Sequence, residues 1–264
     1  KHMNSLPDTI FKYESFTLQS IRNVKRQSLY FCSPKNFNDP YDCAITASIA
    51  EPTHEGLDKL REHYLALPET QGKMGNMLSN FTEEQLLCSI LKAGKISVDQ
   101  ARDKFMLENG VTCFTESNDN FLMWSHYGGQ HCGFCLEFRT DCEPFNTLRR
   151  VKYVDVMPKI DLVELIADGN PDQVVDLFCT KSKAWEYEQE WRAIHTTAGT
   201  VYTYDPKALK AIYFGTECAL QDIDLICCIM HAQNPEVELY TGSRSNAEFR
   251  VEFSPAIYRP PAKK

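Results

Sequence analysis

The sequence contains no apolar run close to the roughly 18 residues that a membrane-spanning helix requires. It also begins without a secretory signal, so we expect a soluble, cytoplasmic chain with no membrane partner. An excess of positive charge is absent as well, because the 264 residues carry a formal net charge of -8. This charge opposes non-specific binding to a phosphate backbone, so nucleic acid is not supported as a non-specific partner.

Several motifs that carry chemistry are absent too. The chain lacks a Gly-x-Gly-x-x-Gly loop, a Walker loop and a Gly-x-Ser-x-Gly turn. It has one Cys-x-x-Cys, formed by Cys132 and Cys135 close to His126 and His131, but no second one to complete a zinc site. Zinc requires about four converging ligands and Cys135 falls in an apolar segment, so we predict no metal. The eleven cysteines are an odd number scattered along the chain, and we interpret them as reduced thiols.

The composition is typical of a globular protein, with 43% hydrophobic and 24% charged residues. We expect residues 1–3 to be an expression-tag remnant. Residues 4–264 are predicted to form a single α+β domain with a helical insertion at about 53–109. The α+β class is indicated by short strands interspersed with helices, without a regular β-α-β alternation.

Apolar spacing and turn residues predict the main elements. A helix is expected from Thr17 to Lys25. In the insertion, Thr82 and Ser97 each begin a capping-box pattern, and Gly94 is interpreted as a helix stop. Strands are predicted at residues 29–32, 111–115, 133–138, 151–156, 191–196, 211–214, 236–240 and 248–253, and further helices at 120–127, about 160–168, 172–184 and 219–231.

Three segments are richer in polar and aromatic residues than a core requires, and we predict that they converge on one pocket. The first is Phe37–Asp42. Asp39 precedes a proline, which holds it away from the helical region, so its side chain can bond a backbone amide two residues on. We expect Asn38, Asp39 and Asp42 to shape one wall of the pocket without being catalytic. Turn chemistry alone is the alternative explanation of this segment.

The second segment is Met123–Tyr127, followed by His131, and the third is Trp185–Arg192. Glu188 and Glu190 are two residues apart, so on a strand they would share a face. The alternatives are an aromatic core stripe for the second segment and, for the third, a solvated strand edge with an ion pair through Arg192.

Together these residues resemble an uncharacterised bacterial family, domain of unknown function 2971. The resemblance covers most of residues 10 to 215, and the helical stretch 53–109 lies outside its motifs. The matching segments are Phe11–Tyr13, Leu29–Phe31, Phe37–Asp42, Cys113–Glu116, Met123–Tyr127, Phe134–Phe138 and Lys181–Arg192.

The order of elements is also similar to that of the ADP-ribosyltransferase superfamily, which has a split β-sheet core and three motifs around NAD. This resemblance implies Glu190 as the principal catalytic residue, Glu188 as the helper that activates the acceptor, and Arg192 as a residue that shapes the pocket. The first motif departs from the superfamily, because Lys12 and Tyr13 replace the expected His or Arg. The implied cofactor-binding residues are Lys12, Tyr13, Thr115, Trp124, Ser125, His126 and Tyr127.

The function implied is transfer of ADP-ribose from NAD, used as a substrate, to an unknown macromolecular acceptor, as in a toxin or an anti-phage defence effector. One alternative is a non-catalytic binding or sensor module of a bacterial defence system. Another is a nucleic-acid or nucleotide hydrolase. In a hydrolase, the acid, base or metal ligands would be Asp39, Asp42, His126 and Glu190.

Overall fold

A computed structural model describes residues 5–44, 48–68, 73–170, 172–256 and 258. The chain divides into two compact units. The first unit comprises Lys1–Ser33, Gly110–Val151 and Glu186–Lys264, and the second comprises Pro34–Asn109 and Lys152–Trp185. The helical stretch predicted at about 53–109 falls within the second unit.

The first unit is built around a mixed sheet. The strands of the first unit are β1 (Thr9–Glu14), β2 (Ser28–Phe31), β4 (Gly110–Thr115), β5 (Phe134–Arg139), β6 (Arg149–Arg150), β10 (Glu190–His195), β11 (Thr200–Thr203), β12 (Leu209–Phe214), β13 (Glu238–Arg244) and β14 (Val251–Pro255). Strands β2 and β11 pair with each other, apart from the mixed sheet. Its helices are α1 (Leu18–Arg26), α5 (Phe121–His126) and α7 (Leu220–Gln233).

The second unit is mainly helical. Its helices are α2 (His54–Ala66), α3 (Lys73–Asn80), α4 (Glu83–Glu108) and α6 (Asp172–Leu177). Its strands are β3 (Ser48–Ile49), β7 (Lys152–Val154), β8 (Lys159–Ile160) and β9 (Thr180–Ser182), which form the parallel pairs β3–β8 and β7–β9. The predicted α+β class is therefore confirmed. In the described part of the chain, every helix is too short or too polar to span a bilayer.

The large sheet has the strand order β14-β13-β12-β5-β1-β4-β10-β6. Only β12 and β13 pair in parallel, whereas the other registered pairs in the described sheet are antiparallel. Strand β1 pairs with β5 along its whole length, but its register with β4 consists of the single pair Phe11–Thr115. The sheet is thus weakly joined between β1 and β4.

Side-chain alternation on β5 separates two apolar clusters. Phe134, Leu136 and Phe138 lie in the main core of the first unit. Cys135 faces the other way and packs in a smaller cluster with Tyr13, Met123 and Trp124. This alternation follows from the two-residue period of a strand.

The predicted helix at Thr17 is confirmed as α1. Thr17 and Ser20 form a reciprocal capping box, in which each side chain accepts a hydrogen bond from the other residue's backbone amide. The helix ends at Gln27, which has a φ of 49° and closes the last turn with its backbone amide.

Two predictions within the second unit are wrong. Gly94 does not stop a helix and Ser97 does not start one, because α4 continues unbroken through both. A β-carbon on Gly94 would lie 2.6 Å from Leu162 Cδ1. The glycine is therefore explained by close packing of Leu162 against the helix and does not mark its end.

The helix predicted at 172–184 is also shorter than expected. Helix α6 ends at Leu177, and Thr180–Ser182 becomes strand β9 because its backbone pairs with β7. Lys183–Glu188 then forms a 3-10 helix. The helix predicted at about 160–168 is a π-helical turn at Val163–Ala167.

Replacing Thr82 by alanine is expected to lower the free energy of unfolding of the second unit by about 1 kcal/mol. Thr82 Oγ1 accepts the backbone amide of Gln85, and the Gln85 side chain accepts that of Thr82. The measurement is urea denaturation followed by circular dichroism. The control is Ser79→Ala, because Ser79 is exposed and its hydroxyl donates to the carbonyl of Gly75 within α3. Equal effects of the two substitutions would contradict the capping role.

Candidate active site

The second and third polar segments meet in the first unit. Asn120 caps α5, because its Oδ1 accepts the backbone amides of Leu122 and Met123. Its Nδ2 donates to the carbonyl of Tyr187 at 3.2 Å. At the other end of α5 the Tyr127 hydroxyl donates to Glu188 Oε1 at 2.7 Å. The second and third segments are therefore in contact, and their convergence on one pocket stays a prediction.

Two further aromatic rings belong to this region of the first unit. The ring of His126 lies 6.2 Å from that of Tyr127 and 6.5 Å from that of Tyr187. His126 is exposed, and the two tyrosines are half-buried. The sequence analysis assigned no role to Tyr187, although this residue lies within the segment Lys181–Arg192 that resembles the family. The ring of His126 thus lies near two tyrosines, of which Tyr127 donates to the buried carboxylate of Glu188.

The two glutamates of the third segment have different surroundings. Glu188 ends the 3-10 helix and Glu190 begins β10, and the Gln189 between them has a φ of 45°. The prediction that both glutamates share a strand face is wrong, because only Glu190 is on the strand.

Glu190 is held by Arg192. Arg192 Nε donates to Glu190 Oε1 at 2.7 Å, and Arg192 Nη2 donates to Glu190 Oε2 at 3.0 Å. Both side chains are buried, so the guanidinium compensates the charge of the carboxylate through both oxygens. Arg192 thereby fixes Glu190 at the start of β10.

Lys12, on β1, lies near Cys113 of β4, the strand that pairs with β10. Its Nζ is 3.5 Å from Glu14 Oε1 and donates to the carbonyl of Cys113 at 3.5 Å. Burial lowers the pKa of Lys12, but Glu14 and the thiols of Cys113 and Cys32 raise it more, and the net pKa lies above its usual value. The ammonium is therefore charged at neutral pH. Thr115 is buried and pairs in register with Glu190.

Two of the predicted cofactor-binding residues belong to the core. Trp124 has 0% of its surface exposed, and its indole N–H donates to the carbonyl of Asn118 at 2.7 Å. Tyr13 packs edge-on against Trp124, with ring centroids 5.0 Å apart, and its hydroxyl donates to Ser117 O at 3.1 Å. Burial raises the pKa of Tyr13. The structure thus corrects this part of the prediction, because neither ring presents a face to a ligand.

Ser125 is exposed, and its hydroxyl lies 3.2 Å from Nε2 of His131. Burial lowers the pKa of His131, which favours the neutral ring. In the residues that the structure describes, no group of three or more His, Cys, Asp and Glu side chains is placed to hold a metal ion. Burial raises the pKa of the Cys113 and Cys135 thiols well above its usual value, which makes them poor metal ligands and nucleophiles.

The first polar segment lies in the second unit, where it forms the predicted turn. Asp39 Oδ1 accepts the backbone amide of Tyr41, two residues on, at 2.9 Å. Asp42 accepts the amide of Cys43 at 2.6 Å and pairs with Lys181 Nζ at 3.5 Å. Both members of this ion pair are buried, whereas Asn38 is exposed. The structural role predicted for Asp39 is confirmed in its hydrogen bond.

Comparison with known proteins bears on part of each unit. A family model described as "Protein of unknown function (DUF2971)" matches residues 123–193. Over these residues the resemblance to that family is confirmed. The matched stretch contains Tyr127, Glu188 and Glu190, so the tyrosine–glutamate pair lies within the part of the chain that resembles DUF2971. No curated protein and no solved structure matched the chain at the threshold of significance.

Proposed function

We propose that the protein cleaves NAD at the bond between nicotinamide and ribose and transfers ADP-ribose to a macromolecular acceptor. The observation that carries this proposal is the 2.7 Å hydrogen bond between the Tyr127 hydroxyl and Glu188 Oε1. It places a carboxylate of the third segment against the aromatic residue that ends α5. The ADP-ribosyltransferase resemblance implies a role for both residues, Tyr127 in binding NAD and Glu188 in catalysis.

The chemistry needs a fixed negative charge beside the ribose. When the bond from C1′ of the ribose to nicotinamide breaks, nicotinamide leaves with the electron pair and the sugar gains oxocarbenium character. A preorganised carboxylate stabilises that positive charge. The hydroxyl of Tyr127 would hold Glu188 in one orientation for this role. The acceptor then forms the new bond to C1′ and releases its proton to water.

The departing nicotinamide needs a flat surface. Rings near Glu188 are supplied by His126, Tyr127 and Tyr187. The ring centroid of His126 lies 6.2 Å from that of Tyr127 and 6.5 Å from that of Tyr187. Aromatic rings favour offset or edge contacts with another ring at such separations. In this proposal these three rings replace Trp124, which is in the core.

Glu188, not Glu190, is proposed as the principal catalytic carboxylate. The resemblance gave that role to Glu190, but Arg192 binds both oxygens of Glu190 within a buried pair. A carboxylate whose charge is compensated in this way stabilises an oxocarbenium poorly. We therefore assign Glu190 and Arg192 to positioning the start of β10.

The sheet supports an ADP-ribosyltransferase-like fold in one respect. That superfamily has a split sheet, and here β1 and β4 share the single register pair Phe11–Thr115. Lys12, on β1 near this point, would supply positive charge for the phosphates of NAD. It takes the place of the His or Arg expected in the first motif.

A Glu188→Gln variant is expected to release nicotinamide from NAD about 100- to 1,000-fold more slowly than the wild type, with NAD binding largely retained. The substitution keeps the size of the side chain and the acceptor for Tyr127, but removes the charge. The measurement is nicotinamide release by chromatography, beside NAD binding by calorimetry. The matched control is Glu186→Gln, because Glu186 is exposed on the same 3-10 helix.

Three outcomes bear on the assignment. A rate for Glu186→Gln equal to that of the wild type would support it. A Glu190→Gln variant that is slow only in proportion to its loss of folded protein would agree with a positioning role. No NAD binding by the wild type at millimolar NAD, with a cell extract present as a source of acceptor, would contradict the proposed function.

A further inference from the structure

The second unit contains a groove of about 310 Å³ that the proposed NAD chemistry does not use. This volume is at the lower end of the range for small-molecule sites. The groove brings residues of the first polar segment together with the Lys181–Trp185 stretch. Its lining includes Asp39, Tyr41, Val156, Pro158, Lys181 and Trp185.

Asp39 lines this groove with a carboxylate that can accept further hydrogen bonds. Its side chain is nine-tenths buried, with 9% of the residue surface exposed. Oδ1 accepts the amide of Tyr41, and in the part of the chain that the structure describes the carboxylate has no other hydrogen-bond or ion-pair partner. A carboxylate can accept about four hydrogen bonds, so this group is under-satisfied for its burial.

The other charged groups of the groove are already paired. Lys181 Nζ lies 3.5 Å from Asp42 Oδ2 and 4.9 Å from the centroid of the Trp185 ring. Asp155 Oδ2 lies 3.8 Å from Lys183 Nζ. A phosphate would meet the carboxylates of Asp39 and Asp155 in this lining and is disfavoured. A neutral donor is favoured at Asp39.

The rest of the lining is flat and apolar. Tyr41 and Trp185 contribute rings, and Val156, Met157 and Pro158 contribute aliphatic surface. Such a surface suits a planar ring, and a buried carboxylate suits an N–H or amino donor on its edge. We infer that this groove binds a small, uncharged heteroaromatic molecule with N–H donors, of the nucleobase and nucleoside class, through the carboxylate of Asp39.

The experiment uses the full chain and titrates guanosine, cytidine and uridine by calorimetry, with caffeine as a planar purine that has no N–H donor. Guanosine and cytidine contain bases that NAD lacks, so their binding is distinguishable from binding at the proposed NAD site. At least one of the three nucleosides is expected to bind, and caffeine at least about tenfold more weakly, because it cannot donate to Asp39.

The decisive variant is Asp39→Asn. Its amide oxygen can still accept from Tyr41, whereas an amide NH₂ replaces the remaining oxygen and opposes the donor of the ligand. Nucleoside binding is expected to weaken about 10- to 100-fold, with the urea midpoint close to that of the wild type. The matched control is Asp161→Asn, because Asp161 also caps backbone amides in the second unit but does not line this groove.

A second variant keeps the test decisive if Asp39→Asn fails to fold. Val156 is 79% exposed at the groove, so Val156→Arg should fold normally and block it. Nucleoside binding unchanged in both Asp39→Asn and Val156→Arg would overturn the inference. So would the absence of nucleoside binding at 10 mM, or binding only by a single-stranded oligonucleotide, which would indicate a nucleic-acid surface instead.

Discussion

A Trp124→Ala variant is expected to lose about 3–5 kcal/mol of unfolding free energy, the cost typical of removing a large buried aromatic side chain. Trp124 is fully buried, contacts Tyr13 edge-on at 5.0 Å and donates its indole N–H to Asn118 O. Its removal leaves a cavity and also an unsatisfied carbonyl. The measurement is urea unfolding followed by circular dichroism at several wavelengths.

The control for Trp124 is a large aromatic residue of the same unit that packs little. Phe249 is 92% exposed, so Phe249→Ala is expected to change the unfolding free energy by no more than about 0.5 kcal/mol. A Trp124→Ala variant that retained wild-type stability but lost ligand binding would show that the sequence-based assignment to the cofactor was right. The structure favours the opposite result.

Local patterns predicted much of the fold. The α1 helix begins at its Thr17 cap, α5 begins after Asn120, and β5 alternates as Phe134, Leu136 and Phe138 require. The bond from the Tyr41 amide to Asp39 was also predictable. In each case the cause lies within a few residues of the effect, so one sequence is enough to identify it.

Contacts between distant residues were not predictable in the same way. Glycine is a residue type that often ends a helix, but Gly94 lies inside α4. It packs there against Leu162, which is distant in the sequence. The switch of Thr180–Ser182 from helix to strand likewise depends on pairing with β7. A short-range pattern does not contain the partner that decides such segments.

The candidate site shows the same division. The sequence identified both the second and third segments, and the Tyr127–Glu188 bond brings them together. It did not separate Glu188 from Glu190, because the two-residue spacing assumed a strand at both positions. The backbone at Gln189, with φ 45°, lies between the end of the 3-10 helix at Glu188 and the start of β10 at Glu190. That Arg192 binds both oxygens of Glu190 follows only from the three-dimensional contacts.

Replacing Arg192 by methionine is expected to lower the free energy of unfolding by about 3–5 kcal/mol. Methionine keeps most of the side-chain length but removes the guanidinium, so the buried carboxylate of Glu190 loses the donors at 2.7 and 3.0 Å. An uncompensated buried charge is costly because neither water nor a counter-charge stabilises it. Urea denaturation measures the loss. The control is Arg244→Met, because Arg244 is 79% exposed in its ion pair with Glu217 and such pairs contribute about 0–1 kcal/mol.

A double variant tests whether the charge itself is the cause. In Glu190→Gln/Arg192→Met a neutral amide replaces the buried carboxylate. The double variant is therefore expected to be more stable than Arg192→Met alone, although it has one substitution more. If the double variant lost, relative to the wild type, the sum of the two single losses, the two side chains would act independently. Glu190 would then not be committed to Arg192, and its carboxylate would again be a candidate for the charge that faces the ribose.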